Sequence, residues 1–192
     1  MRYRKRFLAL VFLFFGLACV AFAEDYHLQY FLGKTSSKVS GLSNKERTEL
    51  LNRMEEVMEQ AQGIHKNLTK AFQTGEMDIR YQEGKFWMSK LEEDRGSIEI
   101  GMQQLKLLRE KSANLVASIK LYKSLKDLSS NLNAYNNMPS FSAFVGDLAP
   151  EMELWADPIF YKLYLLPLAY SKDTQTKPLP KEKAPIPKVK KP

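Results

Sequence analysis

The sequence predicts an all-α protein: a long antiparallel helical hairpin, coiled-coil-like, followed by short C-terminal helices and a disordered Lys/Pro tail. Two observations carry that prediction. Apolar residues recur at spacings of 4, 3, 4, 3, 4 and 3 from Leu50 to Ala71, a heptad seam held for about three repeats. No proline falls between Gly75 and Met138, so nothing forces the chain out of helix there. A third observation bounds the rest: 192 residues with 44% apolar and 27% charged suit one domain with a single core.

The chain starts Met1-Arg2-Tyr3-Arg4-Lys5-Arg6, and an apolar run follows from Phe7 to Ala23. A cationic head, a short apolar stretch and small residues at Ala21 and Ala23 read as a secretory signal peptide over 1–23, cleaved before Glu24. Two alternatives share these residues. The run is near the lower length limit for spanning a bilayer, so it can remain as an anchor, and Leu17-Ala18-Cys19 resembles a lipoprotein processing site that would acylate Cys19. All three place the chain outside the cytoplasm, with the periplasm as the expected compartment.

Residues 24–170 read as the helical domain. Tyr26, Leu28, Tyr30, Phe31 and Leu32 form a short apolar segment able to pack on the body, followed by a loop. Ser43 and Glu46 stand at the spacing of a capping box, in which the hydroxyl and carboxylate satisfy each other's backbone amides. The first long helix follows, with Leu50, Met54, Val57, Ala61, Ile64, Leu68 and Ala71 on its seam and Leu51, Met58 and Phe72 widening it. Thr74-Gly75 is its expected stop.

The pattern resumes with Met77, Tyr81, Met88, Leu91, Ile98, Met102, Leu105 and Leu108, provided Gly84 and Arg95 occupy the two remaining seam positions. A shifted phase, Leu115, Ile119, Tyr122, Leu125, Leu128 and Leu132, implies a kink or short break near Lys111-Ser112. A short loop at Gly75 favours antiparallel packing and would set Glu46 and Glu49 near Lys106 and Arg109. Asn137-Met138-Pro139 and Asp157-Pro158 each look like a helix start. Pro167 should hold the last helix to about two turns.

From residue 171 to 192 the composition changes to Lys and Pro without glycine or aromatic residues, which predicts a disordered tail of polyproline II character. In composition it resembles the proline-lysine spacers of envelope energy-transduction proteins of the TonB type, over the tail alone. The formal charge of +7 divides unevenly along the chain. Four of the 29 Lys and Arg lie in the leader and seven in the tail, leaving 18 against 20 acidic residues between 24 and 170. A mildly acidic body argues against a nucleic-acid surface.

Chemistry-bearing motifs are few. One cysteine, within the leader, removes disulfide and thiol chemistry from the mature chain. His27 and His65 are the two histidines, and His65 sits beside a seam; both read as structural or solvent-facing. No phosphate loop, His-x-x-x-His pair or nucleophile elbow occurs. The expectation is therefore a non-enzyme with no catalytic residue, cofactor or metal. Candidate interaction residues are Trp155, Tyr161 and Tyr164 in the aromatic segment, Lys120, Lys123 and Lys126 at three-residue spacing, and Lys188, Lys190 and Lys191 in the tail.

These features predict an exported helical interaction or scaffold protein of the bacterial cell envelope. Its partners would be another envelope protein or a second copy joined through the seam, and the tail would touch anionic lipid or glycan. The alternative is a periplasmic holdase-type chaperone, since exported helical chaperones of the Skp type are similar in size and charge. A ligand carrier using the aromatic segment is a further alternative.

Overall fold

A computed structural model describes residues 26–37, 41–76 and 81–176 of the chain. The leader with Cys19, Met77 of the expected seam, and tail residues Lys188, Lys190 and Lys191 lie outside the described residues. Every regular element among those described is helical: α1 (Leu28–Thr35), α2 (Asn44–Thr74), α3 (Tyr81–Glu110), α4 (Leu115–Asn136), α5 (Pro139–Val145), α6 (Leu148–Leu154), a π-helical stretch π1 (Trp155–Leu165) and α7 (Leu166–Thr176). The all-helical class predicted from spacing is the one found.

Local chemistry sets the boundaries of α2. Ser43 Oγ accepts from Glu46 N at 3.3 Å while Ser43 N donates to Glu46 Oε2 at 2.7 Å, closing the capping box. Gly75 ends the helix at φ 71°, where a side chain would be strained. Residues 26–35, expected only to pack as an apolar segment, form α1. His27 Nδ1 accepts from Tyr30 N at 3.2 Å as its N-cap. Phe31 of α1 is fully buried and meets the edge of Trp155 with ring centroids 5.9 Å apart. Burying that ring contributes about 2–3 kcal/mol.

Contacts between the long elements run in reversed order. Phe72 lies against Gly84, His65 reaches Leu91, Met58 faces Gly101 and Glu55 pairs with Arg109, so α2 and α3 are antiparallel. Gly101 faces Ser124, Asp94 binds Asn131 and Trp87 meets Tyr135, so α4 runs back along α3. The kink or short break expected near Lys111-Ser112 is a full reversal. Lys111 and Asn114 close a turn, and Asn114 Oδ1 accepts from Ala117 N at 3.1 Å to cap a new helix. Then α6 and π1 return along α4, with Ser129 beside Ala149, and Tyr122 and Lys126 beside Asp157. Each long segment packs on the next, and the last closes on α2, leaving α2 with α4 and α3 with π1 on the diagonals.

Because α3 and α4 touch two neighbours each, their buried stripes differ from the expected seams. On α3 the buried positions are Trp87, Leu91, Asp94, Ile98, Gly101, Gln104, Leu105 and Leu108, whereas Arg95 and Met88 face solvent. On α4, Ala117, Ser118, Leu121, Ser124 and Ser129 join the interior and Ile119 turns outward. A Cβ on Gly101 would stand 3.5 Å from Ser124 Cβ and would meet Met58 Cε at 2.0 Å, so α2, α3 and α4 approach one another closely there. The small and polar residues at the contact hid the stripe from an apolar count.

The C-terminal segment departs furthest from expectation. Pro139 does open α5, and Gly146 at φ 56° turns the chain into α6. Asp157-Pro158, however, starts nothing. Pro158 lies inside π1, and Asp157 is held by Tyr122 and Lys126 of α4 instead of capping a helix. Buried residues there recur in groups at 155–156, 159–160 and 163–165. That period of four suits a wider turn, and Leu166 N bonds back to Tyr161 O across five residues. The helix also passes Pro167 and continues to Thr176, beyond the boundary expected at residue 171.

Candidate functional site

The three aromatic candidates separate. Trp155 is 2% exposed, and its Nε1 donates to Glu151 Oε1 at 3.1 Å. Tyr164 is 4% exposed, stacks on Phe160 at 5.0 Å and donates its hydroxyl to Ser112 O at 2.8 Å. Burial pushes the Tyr164 phenol up to about 12, against the pull of the Arg47 guanidinium, which stands 5.4 Å over its ring. Both close the core, Trp155 against Phe31 of α1, and Tyr164 joins the 111–114 turn to Arg47 of α2. Only Tyr161 faces outward, its ring 5.5 Å from that of Tyr122.

The lysine candidates point to two sides of α4. Lys126 turns toward π1, donating to Glu153 Oε1 at 2.5 Å and Asp157 Oδ2 at 2.8 Å. Tyr122 donates to the other oxygen of Asp157 at 2.7 Å, and Ser129 to Glu153 at 2.9 Å. These bonds hold the Lys126 ammonium charged, shifting it upward. The bonds from Lys126 and Tyr122 pull Asp157 down despite its burial. The Tyr122 phenol is pushed up to about 12, first by its bond to Asp157 and then by burial. Every shift moves away from neutral pH, which makes this a fixed ionic tie, unsuited to proton transfer.

Lys120 and Lys123 turn the other way, onto an open groove of about 670 Å³ between α3 and α4. Lys90, Glu93, Ile100 and Gln103 line it from α3, and Asp127 and Asn131 from α4. Lys123 pairs with Asp127 at 2.8 Å, whereas Lys120 has no charged partner among the described residues. Ile100 is 46% exposed at its wall. Charge of both signs, amides and one exposed aliphatic suit contact with a polypeptide surface.

The charge pairs expected between the first two helices are exchanged for others. Arg109 reaches Glu55 at 2.5 Å and Asn52 at 2.9 Å, not Glu46 or Glu49. Glu46 turns to α1, accepting from Tyr30 at 2.5 Å and pairing with Lys34. Burial raises its carboxyl, but the bonds from Lys34, Tyr30 and Ser43 outweigh that and hold it at about 2.

A buried polar network went unforeseen. Asp94 is 2% exposed and accepts from Tyr135 Oη at 2.6 Å and Asn131 Nδ2 at 2.7 Å, and the Tyr135 ring packs in turn on Trp87 and Phe141. Burial raises Asp94 above the ordinary aspartate value, though both bonds oppose it, and burial with the adjacent carboxylate raises Tyr135. The usable signal was position: Asp94 stands between Leu91 and Ile98 at seam spacing. His65 Nε2 lies 2.9 Å from Leu91 O nearby, tying α2 to α3. Among the described residues no three His, Cys, Asp or Glu side chains gather as a metal site, and no helix is long and apolar enough to cross a membrane.

No known protein family matches the chain, and no curated protein or solved structure is significantly similar to it.

Proposed function

We propose that the chain is an exported, non-enzymatic helical interaction protein of the bacterial cell envelope, a scaffold that holds another envelope protein through the groove between α3 and α4. The carrying observation is the division of polar groups. Asp94, Asp157, Glu46 and both histidines are engaged in internal contacts, whereas Lys120 and Ile100 are presented outward on one groove. The seam of α2 is largely buried within the chain, which favours an outer face such as this groove for partner contact over the seam itself. Burial of Trp155 and Tyr164 argues against an aromatic ligand pocket, and the lysines, glutamate, aspartate and amides lining the groove distinguish it from the continuous apolar surface a holdase needs.

In this reading residues 44–110 act as an antiparallel, coiled-coil-like hairpin braced by α4 and π1, with the Lys/Pro tail as an extended tether. Export is supported by the cationic head and apolar run of residues 1–23. Mass spectrometry of the mature N-terminus should find Glu24 first; acylation at Cys19 or an intact leader would instead indicate membrane attachment.

The deciding experiment places a photo-crosslinker at Lys120 or Gln103 in intact cells. One dominant adduct from each position, with the Gln103 adduct lost on Lys120→Glu with Ile100→Asp, is the expected result. A smear of many clients, with suppressed aggregation of a denatured outer-membrane protein, would replace the scaffold with a holdase. An absence of adducts at both positions would remove the groove as the contact surface.

A further inference from the structure

The bundle has two poles, and they are chemically unlike. One is formed by the start of α2, the 111–114 turn with the chain flanking it, and the end of π1. Here Lys106, Lys111 and Lys162 are exposed with no ion-pair partner among the described residues. Beside them Val116 is 62% exposed, Ile119 49% and Tyr161 39%. The carboxylates at this pole are Glu49 and Glu110, with Glu55 engaged by Arg109 and Glu46 by Lys34. The other pole carries Glu76, Glu83 and Asp147, with Lys70 and Lys85.

Both ends of the described chain converge on the basic pole. Tyr26 lies against α2 near its start, its carbonyl accepting from Arg53 Nε at 3.1 Å and its ring beneath Lys45. Tyr164 is bonded to Ser112 at the turn, so α7 leads the chain away from that same end. The lysine-rich residues 177–192 are therefore tethered there, as is the apolar run 7–23 wherever the leader is retained.

From this convergence we propose that the basic pole docks on the surface of a bilayer bearing anionic headgroups. Lys106, Lys111 and Lys162 would meet phosphates, and Val116, Ile119 and Tyr161 would enter the headgroup boundary. Three attractions add at this pole. Each lysine near an anionic surface attracts it within a Debye length, exposed apolar and aromatic side chains partition into the interface, and tethering raises the local concentration of both. The tail alone would give salt-sensitive attraction without orientation; the pole gives a fixed stance, with the α3/α4 groove on the flank of the bundle. The inference rests on the exported reading above but not on the groove's partner.

The test is flotation of the protein, as recovered after export, with vesicles of phosphatidylcholine alone or mixed with phosphatidylglycerol. Four forms are compared: the unaltered chain, Lys106→Glu/Lys111→Glu/Lys162→Glu, a chain ending at residue 176, and that truncated chain carrying the same three reversals. Binding to the mixed vesicles should fall by at least about tenfold on charge reversal. The truncated form should keep residual binding that the same reversal abolishes, and circular dichroism should show equal helix content in all forms. Equal binding before and after reversal, or equal binding to neutral vesicles, would overturn the proposal. So would loss of a single acidic protein partner on reversal with vesicle binding unchanged, which would assign the pole to a protein. Failure here leaves adducts at Lys120 intact, whereas failure of export would appear in the mature N-terminus.

Discussion

The two carboxylate networks on either side of α4 are built from similar parts and behave oppositely. Toward α3, Asp94 takes a tyrosine and an asparagine and is almost wholly enclosed. Toward π1, Asp157 takes a tyrosine and a lysine and remains partly wet. Burial dominates at the first and raises the acid; charge and hydrogen bonds outweigh burial at the second and lower it. One network fixes how α3 meets α4, while the other laces a half-exposed seam. Their sizes in free energy should differ accordingly.

The largest break comes at Asp94→Ala. It leaves the Tyr135 hydroxyl without its acceptor in the interior and the half-buried Asn131 amide without its own at the groove wall, and opens a small void. Urea unfolding should show a loss of about 3 kcal/mol. A loss below about 1 kcal/mol would mean that water already reaches the site.

Glu46→Gln tests an intermediate case, enclosed yet fully ionised. Its ion pair with Lys34 and its strong acceptance from Tyr30 and Ser43 are weakened, at about 1–2 kcal/mol. The folded value is about 2 against an ordinary 4.5. Glu46 therefore stabilises the fold above the ordinary value, and that contribution fades as pH falls from there toward 2. The unaltered chain and the variant should converge in stability over that acid range, and parallel curves would remove the ion pair as the cause.

Asp94→Asn sharpens the comparison from the opposite direction. With the folded value raised, protonated Asp94 favours the fold at low pH, and this is lost as pH rises through that value. A neutral amide can still accept from Tyr135, and Asn131 can flip to complement it. At neutral pH the variant should lie within about 1 kcal/mol of the original or exceed it. Its pH–stability curve should also lose the decline above the ordinary aspartate range. A deficit as large as that of the alanine variant would mean that the carboxylate is needed ionised.

How far such networks can be read from a sequence depends on the residues that make them. The capping box at Ser43, the stop at Gly75 and the seam of α2 were legible because each uses residues whose chemistry is local or whose apolar spacing is regular. The stripes of α3 and α4 were displaced because Asp94, Gly101, Ser118, Ser124 and Ser129 occupy interior positions, and an apolar count passes over them. Pro158 and Pro167 mislead for a related reason. A local rule ends a helix at proline, but packing of Ile159, Phe160 and Leu163 against the bundle overrides it and the turn widens instead. Of the candidate residues, Lys120, Lys123 and Lys126 were singled out by three-residue spacing, which does not say that Lys126 turns to π1 and the other two to the groove. The burial of Trp155 and Tyr164 needed the tertiary partners Phe31 and Ser112.

The smallest effect is expected at Lys126→Ala, although this lysine makes two ion pairs. Its side chain is 34% exposed and those of Glu153 and Asp157 are 46% and 41% exposed, so water screens the charges and recovers them when the pair is broken. Ser129 still donates to Glu153 and Tyr122 to Asp157, which leaves neither carboxylate orphaned. The loss should be about 0.5–1 kcal/mol at low salt and should shrink as salt is added. Asp157 is lowered and Lys126 raised, so the contribution exists between the ordinary aspartate and lysine values and vanishes on either side. Thermal unfolding across that range measures it. A salt-independent loss near that of Asp94→Ala would mean that the π1 seam is sealed as tightly as the interior, and the contrast between the two sides of α4 would collapse.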